Sequence, residues 1–454
     1  MTQKTFILFS ILWFVLGNAL VAQNNWSLTR CISFAIENNI GLKQMEVREE
    51  LATEDLNQSK RNLLPGISAS SRAGISFGRS IDPNTNDIVN NEFFNNTYDV
   101  GASLTLFNGF RLLNQIEYQK FRKKASELNR LNSIDDLAFG VMNSYFDVLY
   151  YQGMLKIARE QVETSAISLK KIEKQVELGM KSKPDLLEMR ANFETEELRR
   201  IQVENSLKTA MLQLKQRMNL TEETELILDE EQSPIESMGS QKPENLFSSY
   251  TQWSPYYQSF ETQLKASRKL LAISRSQLYP SINAYGSIGT GYYETTKDEA
   301  GKTIGFGTQL DNNLSQYLGG SVNIPIFSRW VVRSDIKKAK LEVEQAQNTL
   351  DEEKQKLYFE MANNLNDLEA LEKEYNQYLK QQEADQLAFQ ASEKKIEQGL
   401  VNVVDFYIAK NRLSNSESQV LKSKLQWEVK KKILDFYMGK RFWEAPSNSP
   451  GGGE

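Results

Sequence analysis

The chain has 454 residues, of which 25% are charged, and its formal net charge is -5. This mild acidic balance argues against a nucleic-acid-binding surface, and no block of Lys and Arg stands out. The sequence contains no His and a single Cys, Cys31. Imidazole catalysis, zinc ligation by His or Cys and a disulfide within one chain are therefore excluded.

The first 22 residues have the order of an export signal. Lys4 supplies a positive charge, residues 6–16 are apolar apart from Ser10, and small residues precede Gln23. We predict a signal peptide over residues 1–22, with Gln23 as the mature start. Because no later apolar stretch of about 18 residues follows, a mature protein that enters a membrane would have to do so as a β-barrel.

The mature sequence contains two copies of one plan. Residues 176–180 match residues 396–400, and residues 184–186 match residues 404–406, at an offset of 220 residues. The same offset pairs Leu214 with Leu434. No insertion interrupts this register over more than a hundred residues, which two packed helical hairpins of equal length would require.

The sequence of each copy predicts the same elements in the same order. A helical stretch ends before a Pro and is followed by two strands, a very long helix, a break at a Gly and a second helix. We assign the domains as follows: residues 1–22 (signal peptide), 23–65 (first-copy N-terminal helices), 66–108 (first β-hairpin), 109–220 (first long helical hairpin, tip 179–183), 221–242 (linker or equatorial region), 243–279 (second-copy helices), 280–327 (second β-hairpin), 328–440 (second long helical hairpin, tip 399–403) and 441–454 (disordered tail).

The N-terminal helical stretches of the two copies are predicted over residues 27–62 and 243–277. The long helices are predicted over residues 111–178 and 332–398, where no Pro occurs. Apolar residues recur there at steps of three and four, which is typical of a coiled-coil seam. Such a helix would be about 100 Å long at 1.5 Å per residue. A soluble coiled-coil rod fits these helices equally well, so they do not decide the function.

The predicted strands separate a membrane protein from a soluble rod. Val100, Ala102, Leu104 and Leu106 alternate with small or polar residues, and three further segments show the same alternation. Short segments with this period are the signature of outer-membrane barrels, although a half-buried soluble sheet fits each strand taken singly. The connections over residues 82–96 and 294–313 are predicted to be polar loops.

Four strands cannot close a barrel, since single-chain barrels begin at about eight strands. Oligomerisation is therefore required if the strands lie in a membrane. Two protomers would give a bore filled by side chains, whereas three would give twelve strands and a channel.

The hairpin tips share one local pattern. Gly179 and Gly399 suit the left-handed residue that ends a helix, and an N-cap residue and an aspartate, Asp185 or Asp405, follow each of them. The spacing by itself favours helix-end stabilisation by both aspartates. The alternative is that both project into a narrow bore, where the carboxylates of an oligomer would form a constriction that attracts cations.

With these features the chain resembles the TolC family of trimeric outer-membrane efflux and secretion ducts. The duplicated plan, residues 104–109 (LTLFNG), residues 324–328 (IPIFS) and the Gly-centred tips carry the resemblance. It implies a mainly α fold with a small β part: duplicated coiled-coil hairpins in a periplasmic α-barrel, and four transmembrane strands per protomer in a trimeric 12-stranded β-barrel. It places the protein in the outer membrane of a Gram-negative bacterium, extending into the periplasm.

The resemblance also implies the site residues and the partners. Asp405 and Asp185 match the family's tip aspartates, a second family aspartate falls at Ile408, and a basic residue of some members falls at Val401. The gate is therefore expected to rely on one carboxylate ring and apolar side chains. The candidate aperture is Asp405, Asp185 and Ile408, and the candidate adaptor-docking tips are Gly179, Met180, Lys181, Gly399, Leu400 and Val401.

The leading hypothesis is a homotrimeric exit duct in contact with outer-membrane lipid. A periplasmic adaptor would link it to an inner-membrane pump of RND or ABC type, in a tripartite efflux pump or a type I secretion system. The alternative is a periplasmic coiled-coil structural protein without a pore. We predict no catalytic residue, no cofactor and no metal site, because the carboxylates form no constellation with a base or nucleophile.

Overall fold

The computed structural model describes residues 25–81, 86–90, 92–221, 223, 225–229, 235, 241–398 and 400–444. The predicted signal peptide, Gly399, tail residues 445–454 and much of the predicted linker lie outside the described residues. No helix in these ranges combines the length and the hydropathy needed to cross a membrane.

The elements of the first copy are β1 (Asn25–Trp26), α1 (Leu28–Asn38), α2 (Ile40–Arg61), β2 (Gly66–Ser76), β3 (Arg79–Ile81), β4 (Ile88–Asn90), β5 (Phe93–Asn108), α3 (Arg111–Glu177) and α4 (Lys183–Met218). Those that follow are β6 (Ile227–Leu228), α5 (Pro243–Trp253), α6 (Pro255–Ser276), β7 (Ser281–Tyr293), α7 (Phe306–Asn312), β8 (Ser315–Asn323), α8 (Val331–Glu397) and α9 (Val403–Tyr437).

The chain divides into two compact units. Among the described residues, the sheet unit holds those of Val47–Leu128 and Ser259–Glu352, and the hairpin unit holds those up to Glu46, those of Asn129–Gln258 and those from Glu353 onward. In the hairpin unit, β1 and β6 form a short parallel pair, and Tyr145 Oη donates to Asp229 O at 2.5 Å just after β6. This pair was not predicted, because β6 lies in the segment predicted as a linker.

The sheet unit contains a four-stranded antiparallel sheet with the order β2-β5-β7-β8, and β3 pairs with β4 in a separate antiparallel pair. Val100 of β5 pairs with Ala69 of β2 and with Ile288 of β7, so the alternating apolar residues of neighbouring strands share one face. The register shifts between Thr105 and Phe107, and Phe107 takes the position opposite Ile282. Leu106 therefore lies in a bulge, which interrupts the regular alternation predicted from Val100 to Leu106.

Two loop predictions were wrong in part. The segment predicted as a loop over residues 82–96 contains β4, and β5 already begins at Phe93. The second predicted loop, over residues 294–313, contains the short helix α7. Buried Gln309 of α7 explains why this segment is ordered: its amide donates to Tyr293 O at 3.0 Å and accepts from Tyr293 N–H at 2.9 Å, which extends the hydrogen bonding of β7.

The helical stretch predicted at the start of each copy consists of two helices, and the sequence pattern did not locate the break between them. The breaks fall at Asn39 and Ser254, after α1 and α5, which have 11 residues each. Asn39 Oδ1 accepts from Leu42 N–H at 3.2 Å, and Ser254 Oγ accepts from Tyr257 N–H at 3.3 Å. Each break is thus a helix restart capped by a short polar side chain.

The long helices agree with the prediction to within one residue at each end. Helices α3 and α8 have 67 residues each, and the returning helices α4 and α9 have 36 and 35 residues. The duplicated hairpins therefore match in length as the constant sequence offset requires.

The turn between β5 and α3 depends on Gly109, whose φ is +68°. A Cβ there would lie 2.5 Å from Ser276 O and 2.8 Å from Tyr279 Cβ. We expect Gly109→Ala to cost about 1 to 3 kcal/mol, because the strained backbone and the contact with a main-chain oxygen both oppose a side chain. Thermal unfolding in detergent, followed by far-ultraviolet circular dichroism, measures this loss.

The matched control is Gly66→Ala at the start of β2, where an added Cβ meets nothing within 4 Å. Equal midpoints for the two variants would contradict the steric role assigned to Gly109.

Candidate functional site

The first hairpin tip ends α3 with two backbone hydrogen bonds around a left-handed glycine. Gly179 has a φ of 72°, and its N–H donates to Val176 O at 3.0 Å. Met180 N–H donates to Gln175 O at 2.8 Å. This is the Schellman arrangement, which satisfies carbonyls that the end of a helix leaves without partners.

Helix α4 then begins with a reciprocal capping box. Ser182 Oγ accepts from Asp185 N–H at 3.3 Å, and Asp185 Oδ2 accepts from Ser182 N–H at 3.3 Å. The hydroxyl of Ser182 also donates to Asp185 Oδ2 at 2.7 Å. This hydrogen bond to the charged form lowers the pKa of the Asp185 carboxyl. The half-buried carboxylate of Asp185 thus takes part in capping the start of α4.

The second tip follows the same plan with one difference. Leu400 N–H donates to Lys395 O at 2.9 Å, the counterpart of the bond from Met180 to Gln175. Asn402 Oδ1 accepts from Asp405 N–H at 2.8 Å and caps α9. The capping contact thus uses the backbone of residue 405, while the Asp405 side chain is exposed.

An apolar cluster packs the two hairpins together beside the tips. Its buried members come from both copies: Ile172, Met189, Ile396, Val403, Phe406 and Tyr407. Leu186 and Val401 pack against it from the first turn of α4 and from the second tip. At the surface nearby, Lys171 Nζ of α3 lies 2.5 Å from Glu397 Oε1 of α8. The two tips are therefore fixed to each other by side chains of both copies.

A buried polar network adjoins this cluster. The Lys410 ammonium of α9 donates to both carboxylate oxygens of Glu196 of α4, each at 2.8 Å, and to Gln161 O of α3 at 2.7 Å. It also donates to the Ser165 hydroxyl, which donates to Glu196 in turn. With 1% of its side chain exposed, Lys410 is shielded from water, and its charge is compensated by one carboxylate.

Tyr407 joins the network to the apolar cluster. Its hydroxyl lies 3.2 Å from Ser165 Oγ and donates to Met189 Sδ at 3.3 Å. Burial raises the pKa of Tyr407 to about 12. Burial also lowers the pKa of Lys410, and the Glu196 carboxylate opposes that shift. The network therefore holds one buried ion pair between the two copies.

Of the predicted tip residues, the structure brings Val401 into the apolar cluster. Gly179, Met180, Leu400, Asp405 and Ile408 are exposed, and Lys181 is half-buried. The conformation of Gly399 lies outside the described residues. The roles predicted for these residues in an aperture or in adaptor docking remain predictions.

Lys410, Glu196 and Ser165 were not among the predicted site residues. A signal was present, because Val403, Tyr407, Lys410 and Ser414 follow one another at steps of four, three and four residues along α9. This spacing places Lys410 on the buried stripe of the helix. A lysine on such a stripe needs a buried anion nearby.

Comparisons with known proteins agree with this architecture. A sequence model described as outer membrane efflux protein matches residues 31–220 and 247–440, one range in each copy. No curated protein matches the chain.

Three solved structures show the same fold. The outer-membrane channel OprN has a TM-score of 0.78 at 17% identity, over 92% of this chain and 90% of that one. The outer membrane protein VceC from Vibrio cholerae has a TM-score of 0.76 at 13% identity, over 91% and 96%. The open state of the Neisseria gonorrhoeae MtrE outer membrane channel has a TM-score of 0.73 at 20% identity, over 92% and 91%. At these identities the likeness concerns the fold.

The buried ion pair gives a test of how the hairpins are held together. We expect Lys410→Met to destabilise the protein by about 3 to 5 kcal/mol, because it leaves the Glu196 carboxylate buried without its cation. The double variant with Glu196→Leu should recover much of this loss, since neither charge remains. Chemical denaturation in detergent, followed by Trp fluorescence, measures both effects.

Lys171→Met is the matched control, because it removes a lysine from the exposed pair with Glu397. Such a pair contributes at most about 1 kcal/mol. If Lys410→Met proved as mild as this control, the buried pair would not hold the hairpins together.

Proposed function

The chain belongs to the outer membrane efflux protein family, and we propose from this that it forms a passive exit duct across the periplasm and the outer membrane. It would serve a tripartite efflux pump or a type I secretion system. As a member of this family, it is an outer-membrane protein that extends into the periplasm. Energy and selection would come from its partners, so the duct itself needs no catalytic residue or cofactor.

The observation that carries this proposal is the sheet. Within the described chain, β2 and β8 are the outer strands of the order β2-β5-β7-β8, and each pairs on one side. An open sheet edge is not tolerated in the hydrocarbon of a membrane. Three copies, each adding its β8 to the next copy's β2, would close a barrel of twelve strands with room for a channel.

The two faces of the sheet differ as a channel wall requires. The face that carries Val100 and Ile288 also holds Ile67 and Leu318, whose side chains are 72% and 88% exposed in one chain. The opposite face carries Thr105, whose hydroxyl donates to Asn283 Oδ1 at 3.0 Å. Apolar residues would meet outer-membrane lipid, and polar residues would line the bore.

The hairpin tips are the surface for a partner. Leu178, Met180 and Leu400 are large, apolar and exposed at the turns between the long helices. Exposed apolar groups at one place indicate a contact with another protein. A periplasmic adaptor docked here would link the duct to an inner-membrane pump of RND or ABC type.

A periplasmic coiled-coil structural protein without a pore is the second candidate, because long paired helices suit a rod as well. The sheet argues against it, since a soluble protein would expose Ile67, Leu318 and their neighbours to water at a large cost. The two candidates differ in where the protein is found and in what solvent it needs.

The first test is the native mass of the protein extracted in mild detergent from an outer-membrane fraction. We expect a trimer that stays dispersed only while detergent is present, because the outer face of its barrel is apolar. A water-soluble monomer or dimer would overturn the duct and would favour the structural rod.

The second test concerns the predicted aperture. We expect Asp405→Ala to weaken block by added multivalent cations and to change single-channel conductance in planar bilayers, because an exposed carboxylate ring would be lost. The start of α9 should survive, since Asn402 Oδ1 bonds to the backbone N–H of residue 405. Glu188→Ala removes another exposed carboxylate from the first hairpin and is the control. Unchanged cation block in Asp405→Ala would remove Asp405 from the aperture.

A further inference from the structure

The Lys410 network joins the second copy to the first, and the internal repeat gives each of its members a counterpart. At the offset of 220 residues, Lys410 corresponds to Arg190 and Ser165 corresponds to Asp385. Glu196 corresponds to Ser416. The counterpart set therefore also contains one cation, one carboxylate and one hydroxyl.

The carboxylate and the hydroxyl have exchanged places between the two sets. In the first set, the hydroxyl lies on the long helix α3 and the carboxylate on the returning helix α4. In the second set, the carboxylate, Asp385, lies on the long helix α8 and the hydroxyl, Ser416, on the returning helix α9. A cation seated like Lys410 would find one anion in either set, which is what a buried positive charge needs.

Within one chain the second set is not assembled. The Arg190 side chain is 61% exposed, and its guanidinium lies 3.3 Å from Glu173 Oε1 of the same hairpin. Asp385 Oδ2 is buried and has no hydrogen-bond partner in the described part of the chain. The cation thus stays at the surface, while an oxygen of the corresponding anion lacks a donor.

The helix face around Arg190 is also incomplete. Leu187 and Ile201 lie on the same side of α4 as Arg190, at steps of three and eleven residues, and they are 59% and 45% exposed. Their counterparts on α9 are Tyr407, which is buried, and Leu421, which packs on Gly153 of α3. The row of residues formed by Leu187, Arg190 and Ile201 is therefore exposed on α4, whereas the corresponding row on α9 is covered.

We propose that a second copy of this chain covers this row. Helix α4 of one protomer packs against α8 and α9 of its neighbour, and Arg190 pairs with Asp385 of the partner subunit. This contact between subunits is equivalent to the contact that Lys410 makes between the two copies within each subunit. This inference rests on the proposed trimer and names the ion pair that holds its helical part together.

Charge reversal tests the pair. Arg190→Glu alone and Asp385→Arg alone should each lose most of the trimer on warming in mild detergent, as read by native mass. The double reversal should restore much of it. Glu173→Gln removes the partner of Arg190 within the chain and should leave the trimer intact. Single reversals without effect, or a double variant as weak as the singles, would overturn the pair.

Cross-linking covers the case in which a reversal at Asp385 prevents folding. Chains with Arg190→Cys and chains with Asp385→Cys, carrying tags of different size, are mixed and treated with a short bis-maleimide. We expect a product that joins the two tags and appears only in the mixture, because Cys31 is fully buried and common to both. A wild-type trimer without this product overturns the inference alone, whereas a wild-type protein that forms no trimer overturns the proposed function.

Discussion

The ammonium of Lys410 is held away from water between helices of both copies, and the arrangement of the hairpins depends on its partners. A charge in such a place is tolerated only where a carboxylate and further acceptors surround it, and Glu196, Ser165 and Gln161 O do so here. Because these groups come from α3 and α4, sliding α9 along its neighbours would separate the pair. The adjoining apolar cluster tolerates small shifts more easily than the ion pair does, so the polar network specifies the register and the cluster supplies the packing.

The two tip aspartates look equivalent in sequence, but they lie in different surroundings. The Asp185 carboxylate accepts from the Ser182 backbone and hydroxyl. At the second tip Asn402 accepts from the backbone N–H of Asp405, and the Asp405 side chain is exposed. Both tips have thus kept the cap of the returning helix, while the carboxylate of the second tip, Asp405, is exposed. This difference makes Asp405 the stronger candidate for an electrostatic function and Asp185 the stronger candidate for a structural one.

Much of the fold could be predicted from the sequence, because the long helices and the main strands carry strong periodic patterns. The ends of α3 and α8 were predicted to within one residue, and the duplicated plan was visible in the constant offset. The pattern did not reveal the breaks at Asn39 and Ser254, since a capped restart disturbs helical periodicity very little. It also did not reveal α7, which is held to β7 by the hydrogen bonds of the buried Gln309 amide to the Tyr293 backbone. The spacing along α9 marks Lys410 as buried, but its partners Glu196 and Ser165 lie more than 200 residues away in sequence and could not be identified from it.

The equal lengths of α3 and α8 limit how such a protein can change. An insertion in one hairpin alone would move its tip away from the other, so that Tyr407 would no longer reach Met189 and Lys410 would no longer reach Glu196. A change in length is tolerated only when both halves receive it at corresponding places and in steps that preserve the coiled-coil repeat of seven residues. The lengths of the two hairpins are therefore coupled: evolution or engineering can lengthen or shorten this protein only by changing both halves together.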